Sequence, residues 1–108
     1  MSNVAKLTDE DYEAAIQNAE VPVLIDFSAT WCQPCKQLAP TIDAVAEEYD
    51  NRLKVFNVDV EEAQGAAMHF GIVGVPTCVL FKEGKEVDRF QGNQDISTVR
   101  GRVEKLMG

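Results

Sequence analysis

Val21-Pro22-Val23-Leu24-Ile25-Asp26-Phe27, followed after Ser28–Trp31 by Cys32-Gln33-Pro34-Cys35, is the stretch on which the fold turns. The first seven residues are almost continuously apolar, as a strand covered on both faces of a parallel sheet is; a strand with one wet face would alternate. Beyond the cysteines, Leu38, Ile42, Val45, Ala46 and Tyr49 recur at helical spacing and predict a long helix over 34–49. Pro34 suits its first turn, where a missing N–H costs nothing, and Pro40 falls inside it and should kink it. Residues 53–58 read as a second buried strand, so the unit closes as βαβ, with parallel strands and a right-handed crossover.

Upstream, Thr8 is placed to cap a helix over 9–18 whose apolar face is Tyr12, Ala15, Ile16 and Ala19. Downstream, a shorter helix over 62–70 is ended by Gly71. A third strand over 77–81 turns through Glu83-Gly84-Lys85 into a fourth over 86–90, a hairpin that gives the sheet an antiparallel edge. The last helix covers 95–107, with Ile96, Val99, Val103 and Leu106 spaced 3, 4, 3. Gly101 lies inside it at a cost of about 1 kcal/mol relative to Ala, with no reason visible in the sequence. The expectation is one α/β domain over 1–108.

At 108 residues the chain is one domain, long enough to bury roughly 65% of its unfolded surface without a metal or disulfide staple. Apolar residues at 45% and charged residues at 26% are those of an ordinary globular protein. Eighteen acidic against ten basic residues give a net charge of −8, which counts against nucleic acid and anionic membranes as partners. The first residues lack a cationic start followed by an apolar stretch, and the longest apolar runs are far too short for a membrane span. The expected compartment is the cytoplasm, where thiols stay reduced and cysteines do not form a structural framework. Three cysteines fit one working pair and one left over.

A Cys-x-x-Cys by itself is open between redox work, zinc binding and neither. Two intervening residues bring the sulfurs close enough for a small disulfide ring. A helix N-terminus carries partial positive charge and unpaired N–H groups. Cys32, just outside the helix, receives that field and should have a lowered pKa, which makes it the candidate nucleophile; Cys35, one turn in, should be more buried and is the candidate resolving thiol. Structural zinc needs four ligands, and Cys78 and His69 are the other candidates. Cys78, mid-strand in an apolar run, reads as a small core residue, and His69, near a helix C-terminus, as a surface residue, so neither a metal nor a cofactor is expected. Asp26 is a lone acid in an apolar strand. Burial should raise its pKa, and it reads either as proton acceptor and donor for Cys35 or as a strand-end Asp satisfied locally. Gly74-Val75-Pro76-Thr77 alone signals only a strand start. Trp31 alone is a core candidate, but beside a reactive thiol it is also a shield and an apolar docking face.

Asp26-Phe27, Trp31-Cys32-Gln33-Pro34-Cys35-Lys36, Pro40, Val75-Pro76-Thr77, Phe81, Gly84 and Gly92, in this order and spacing over nearly the whole chain, resemble the thioredoxin family. The resemblance implies the thioredoxin fold, a central mixed β-sheet flanked by helices. It implies a cis Pro76 beside the cysteines, with the Val75 backbone pairing with an extended substrate segment. It also implies a docking surface of Trp31, Pro34, Gly74, Val75, Pro76 and Gly92, with Gln33 between the cysteines. The family activity is reduction of protein disulfides by attack of Cys32, resolution by Cys35 with help from Asp26, and renewal by thioredoxin reductase; a monomer is the default expectation, since a chain of 11.9 kDa with no long apolar surface helix gives no reason to posit more. Pro34 favours the reducing branch of the superfamily. The nucleophilic thiols of this family have a reference pKa of about 7, a value that belongs to the family as a whole. A fall from about 8.5 to about 7 raises the thiolate fraction at pH 7 from ~3% to ~50%, while intrinsic nucleophilicity falls about fivefold. The net gain is only a few-fold, so substrate positioning, leaving-group chemistry and redox poise must supply the rest. Three positions depart from the family pattern: Gln33 for a common Gly, Asn57 for a Lys beside the buried acid, and Ser28 for a common Trp. Loss of the Lys should raise the Asp26 pKa further and weaken it as a base. The competing readings are an oxidase or isomerase, against which Pro34 and a cytosolic compartment count, and a redox-inactive or redox-gated protein-binding module that uses the same docking surface.

Overall fold

The computed structural model describes residues 4–108. Five strands and four helices follow in the order β1 (Ala5–Lys6), α1 (Tyr12–Gln17), β2 (Val23–Ser28), α2 (Gln33–Glu48), β3 (Lys54–Asp59), α3 (Gln64–His69), β4 (Thr77–Lys82), β5 (Lys85–Gln91) and α4 (Ile96–Met107). The sheet order is β1-β3-β2-β4-β5. β3 is parallel to both β1 and β2, while β4 runs antiparallel to β2 and β5 antiparallel to β4. This is the mixed sheet flanked by helices that the sequence implied.

β2 lies at the centre, and its alternation feeds two cores. Leu24 packs toward α2 and α4 with Leu38, Ile42, Val45, Leu80, Val99 and Val103. Val23, Ile25 and Phe27 pack toward α1 and α3 with Tyr12, Ile16, Val58, Ala66 and Phe81. Both faces are therefore dry, which is why the run reads as continuously apolar. Each of Leu24, Ile25 and Phe27 is fully buried and contributes about 1.5–3 kcal/mol relative to exposure.

Three local expectations differ. β1 has no apolar signal because both its residues are exposed; it is held by its pairing to Phe56 and Asn57. Thr8 does not cap α1. The helix begins only after Asp11, whose Oδ1 accepts the Thr8 N–H at 2.6 Å, and Thr8 Oγ1 accepts the Glu10 N–H. Asp9 reaches away from α1 altogether, its carboxylate accepting the Gly65 and Ala66 N–H groups at the start of α3. α2 contains Pro40, as the sequence placed it, with the ring on the exposed side. The hairpin turn places both Glu83 and Gly84 at positive φ (53° and 80°), which draws Lys85 into β5. Among the described residues no helix is long and apolar enough to cross a membrane.

Candidate functional site

β2 ends at Ser28, and the chain bends through Ala29–Trp31 so that Cys32 becomes the N-cap of α2, in extended conformation. Its Sγ accepts the Cys35 N–H at 3.2 Å, taking the capping role usually given to an oxygen. Pro34 occupies the first turn, where no N–H is lost. Cys32 and Cys35 are joined as a disulfide, with Cα atoms 5.2 Å apart.

The expected difference in burial between the two cysteines is absent: Cys32 is 4% exposed and Cys35 5%. Both pack against Ala29, Val60 and Val75. What distinguishes them is contact. Cys32 Sγ receives a helix N–H and lies 3.7 Å from the Val75 carbonyl oxygen, so its surroundings are those of the helix cap.

Val75 precedes a cis peptide bond to Pro76. Thr77 Oγ1 donates to the Gly74 carbonyl at 2.6 Å, and the Gly92 N–H donates to the Pro76 carbonyl at 2.9 Å. Gly92 has φ +83°, the left-handed region that favours glycine, so the loop after β5 turns in beside the loop before β4. Gly74, Val75, Pro76 and Gly92 thus form one hydrogen-bonded unit against Cys32. Gln33 and Pro34 are exposed, and Trp31 is 65% exposed. Trp31 is not a core residue; its Nε1 donates to Glu61 Oε2 at 3.1 Å, and Glu61 is in turn held through its own N–H on Asp59 Oδ1. Glu61 had no sequence signal as part of this site.

Asp26 is buried in the centre of β2, on the Leu24 side facing α2. Burial pushes its carboxyl up to about 6; the nearby Asn57 amide and the Cys78 thiol, which alone of the two bonds the carboxylate, oppose the rise, and the negative charge of Asp43 adds to it. The departures at 28 and 57 are partners: Asn57 Nδ2 donates to Ser28 Oγ at 2.8 Å and to the Asp26 carbonyl at 3.1 Å. Asn57 therefore puts a neutral amide where a cation was expected, bonded to the strand and not to the carboxylate oxygens, and the Asp26 carboxyl stands raised, in the expected direction. A carboxyl at about 6 is still about 90% ionised at pH 7.

Cys78 and His69 do not join the cysteine pair. Cys78 is fully buried in β4. His69 is exposed at the end of α3, with its Nδ1 2.7 Å from Tyr12 Oη and its ring stacked on Phe70. Among the described residues no three His, Cys, Asp or Glu side chains converge to hold a metal ion.

A two-residue dithiol–disulfide ring at a helix cap, on a mixed sheet and beside a cis-proline loop, defines a thiol–disulfide oxidoreductase. The family model for thioredoxin matches residues 3–105. Thioredoxin 1 of Nostoc sp. is 37% identical over 105 residues, covering 97% of this chain and 98% of that protein. Thioredoxin of Synechocystis sp. is 33% identical over 107 residues, with 99% and 100% covered. The chloroplastic M-type thioredoxin of Spinacia oleracea is 35% identical over 107 residues, covering 99% of this chain and 59% of that protein. The chain belongs to the thioredoxin family, and its activity is protein thiol–disulfide exchange through a cysteine pair at the family's active-site position.

Proposed function

We propose that the chain, as a single domain over 1–108, reduces disulfides in protein substrates with Cys32 as nucleophile and Cys35 as resolving thiol. The observation that carries the assignment is the asymmetry of the pair: Cys32 Sγ caps α2, accepting the Cys35 N–H at 3.2 Å. A thiolate there gains the helix field and a backbone donor, while the Cys35 sulfur is held within the first turn.

In the first step the Cys32 thiolate attacks one sulfur of the substrate disulfide, and the other substrate sulfur leaves as a thiolate. The Cys35 thiol then gives its proton to the Asp26 carboxylate and attacks Cys32 Sγ. The second substrate thiolate departs and both substrate thiolates take up protons. Two electrons have passed to the substrate, and the Cys32–Cys35 disulfide remains. Thioredoxin reductase is the donor that restores the dithiol. Trp31, Gln33, Pro34, Gly74, Val75, Pro76 and Gly92 form the docking face, with the Val75 backbone pairing to an extended substrate segment. The protein acts as a monomer in the cytoplasm; the plastid destination in the name of the spinach relative makes cell fractionation the direct check of compartment.

Equilibration in dithiol and glutathione buffers tests the direction of the reaction. A potential below about −250 mV is expected for a reductase, and one near about −180 mV or above overturns that direction. Cys35→Ser tests the roles: it should lose turnover and accumulate a covalent adduct through Cys32. Adducts that form through Cys35 in Cys32→Ser and not in Cys35→Ser would reverse the assignment. A Cys32→Ser, Cys35→Ser double variant that still binds substrate but reduces none is also expected; a wild-type protein with no reversible couple would leave only the binding-module reading.

A further inference from the structure

The mechanism uses Asp26 but assigns nothing to the groups that hold it. Asp26 stands at one register position across three central strands, opposite Asn57 on β3 and Cys78 on β4. Asn57 spends its amide on the Asp26 carbonyl and on Ser28 Oγ. Cys78 Sγ reaches the carboxylate itself, donating to Asp26 Oδ1 at 3.9 Å, a long thiol hydrogen bond between two groups that are both buried.

We propose that Cys78 is a positioning residue for the proton-transfer step: its buried thiol orients the Asp26 carboxylate and favours its ionised form. The inference rests on the role given to Asp26 above. The other groups bearing on Asp26 are Asn57 from β3 and Asp43 from α2, while α4 presents Val99, Val103 and Leu106 to the same core. Burial, with the neighbouring Asp26 charge second, pushes the Cys78 thiol well above its ordinary range. The thiol therefore stays protonated and remains a donor throughout the working pH range. A residue without a donor at 78 would leave the carboxylate with one stabilising partner fewer in a dry site, where each such bond has a larger effect than in water.

Cys78→Ala removes the donor, Cys78→Val removes it while filling the space, and Cys78→Ser keeps a hydroxyl donor. The Asp26 midpoint is read by carbon-13 carboxyl NMR titration of the reduced protein. The pH profile of insulin-disulfide reduction with dithiothreitol is followed in parallel. The Ala and Val variants should raise the midpoint by roughly half to one pH unit, the size of one weak charge-assisted hydrogen bond. For a full unit from about 6, the ionised fraction at pH 6 falls about fivefold, and the reduction rate with it, while the difference fades above about pH 8. Cys78→Ser should return the midpoint to the wild-type value or below. A midpoint unmoved in both Cys78→Ala and Cys78→Val overturns the inference and leaves the Asp26 role standing. An Asp26→Asn enzyme whose pH profile matches the wild type overturns the Asp26 role, and the inference with it.

Discussion

Replacing Asp26 by Asn should make the protein more stable at neutral and alkaline pH, with the gain fading in acid. The carboxyl is 5% exposed and is lifted from its ordinary 3.8 to about 6 by burial. At 1.36 kcal/mol per pH unit, that lift corresponds to about 3 kcal/mol by which the ionised form opposes folding. Between about pH 4 and pH 6 the native state holds a proton that the unfolded chain has already lost. The wild type is thus relieved of the penalty below about pH 4, loses stability as the pH rises through about 6, and carries the whole penalty above about 7. Asn is isosteric with the protonated acid and has no such slope. In urea unfolding of the two oxidised proteins, the gap in favour of Asp26→Asn should be about 2.5 kcal/mol wider at pH 8 than at pH 4, where the unfolded carboxyl is already about half ionised. By thermal melts the widening is about 10 °C, at roughly 4 °C per kcal/mol for a domain of this size. The other titrating groups are common to both proteins and cancel in the comparison. A gap of the same size at both pH values would refute the placement of an ionised carboxylate in a dry core.

Gly101→Ala in the middle of α4 should stabilise the protein by about 1 kcal/mol in the same urea assay, because an added Cβ meets no atom within 4 Å and the helix gains propensity. A loss of stability there would show that the glycine has a packing role. Asp95 caps α4, its Oδ1 accepting the Thr98 N–H at 2.9 Å and the Ser97 hydroxyl at 3.0 Å, and these bonds hold its carboxyl below the usual range. Asp95→Ala should therefore lower the melting temperature at neutral pH, and the loss should fade as the pH falls through the carboxylate range. A loss that persists undiminished in acid would rule out the carboxylate cap as its cause.

The parts of the fold legible in the sequence are those in which burial leaves a period. β2 and α2 are recognisable because their apolar positions match the two cores they fill. β1 is not, since two exposed residues carry no pattern and the strand exists only through its pairing to β3. The start of α1 falls later than its sequence pattern suggests because three neighbouring polar residues compete for caps, and the tertiary contact of Asp9 with α3 decides the competition. Within the candidate site, Cys32, Cys35 and Asp26 lie within ten residues of one another and their chemistry is local. The contacts of Trp31 with Glu61, Ser28 with Asn57 and Asp26 with Cys78 join residues 29 to 52 positions apart. They depend on strand register, which no local pattern specifies. Equal burial of the two cysteines was likewise invisible, because exposure depends on the Val75 loop arriving from elsewhere in the chain.

The two outer strands differ from the centre in a way that bears on self-association. β5 is seven residues long and presents an open row of backbone groups, yet it carries Lys85, Glu86, Asp88 and Arg89. Its pairing with β4 skips Val87, so that Leu80 opposes Asp88 and Phe81 opposes Glu86. A charged and bulged border is a poor template for another chain. The opposite border, β1, is two residues long, too short to nucleate pairing. In the docking mode proposed above, the substrate disulfides arrive in extended segments of other chains. With both borders of its sheet unreceptive, such segments are not drawn into amyloid-like growth along it, and one molecule can meet many of them without being consumed by any.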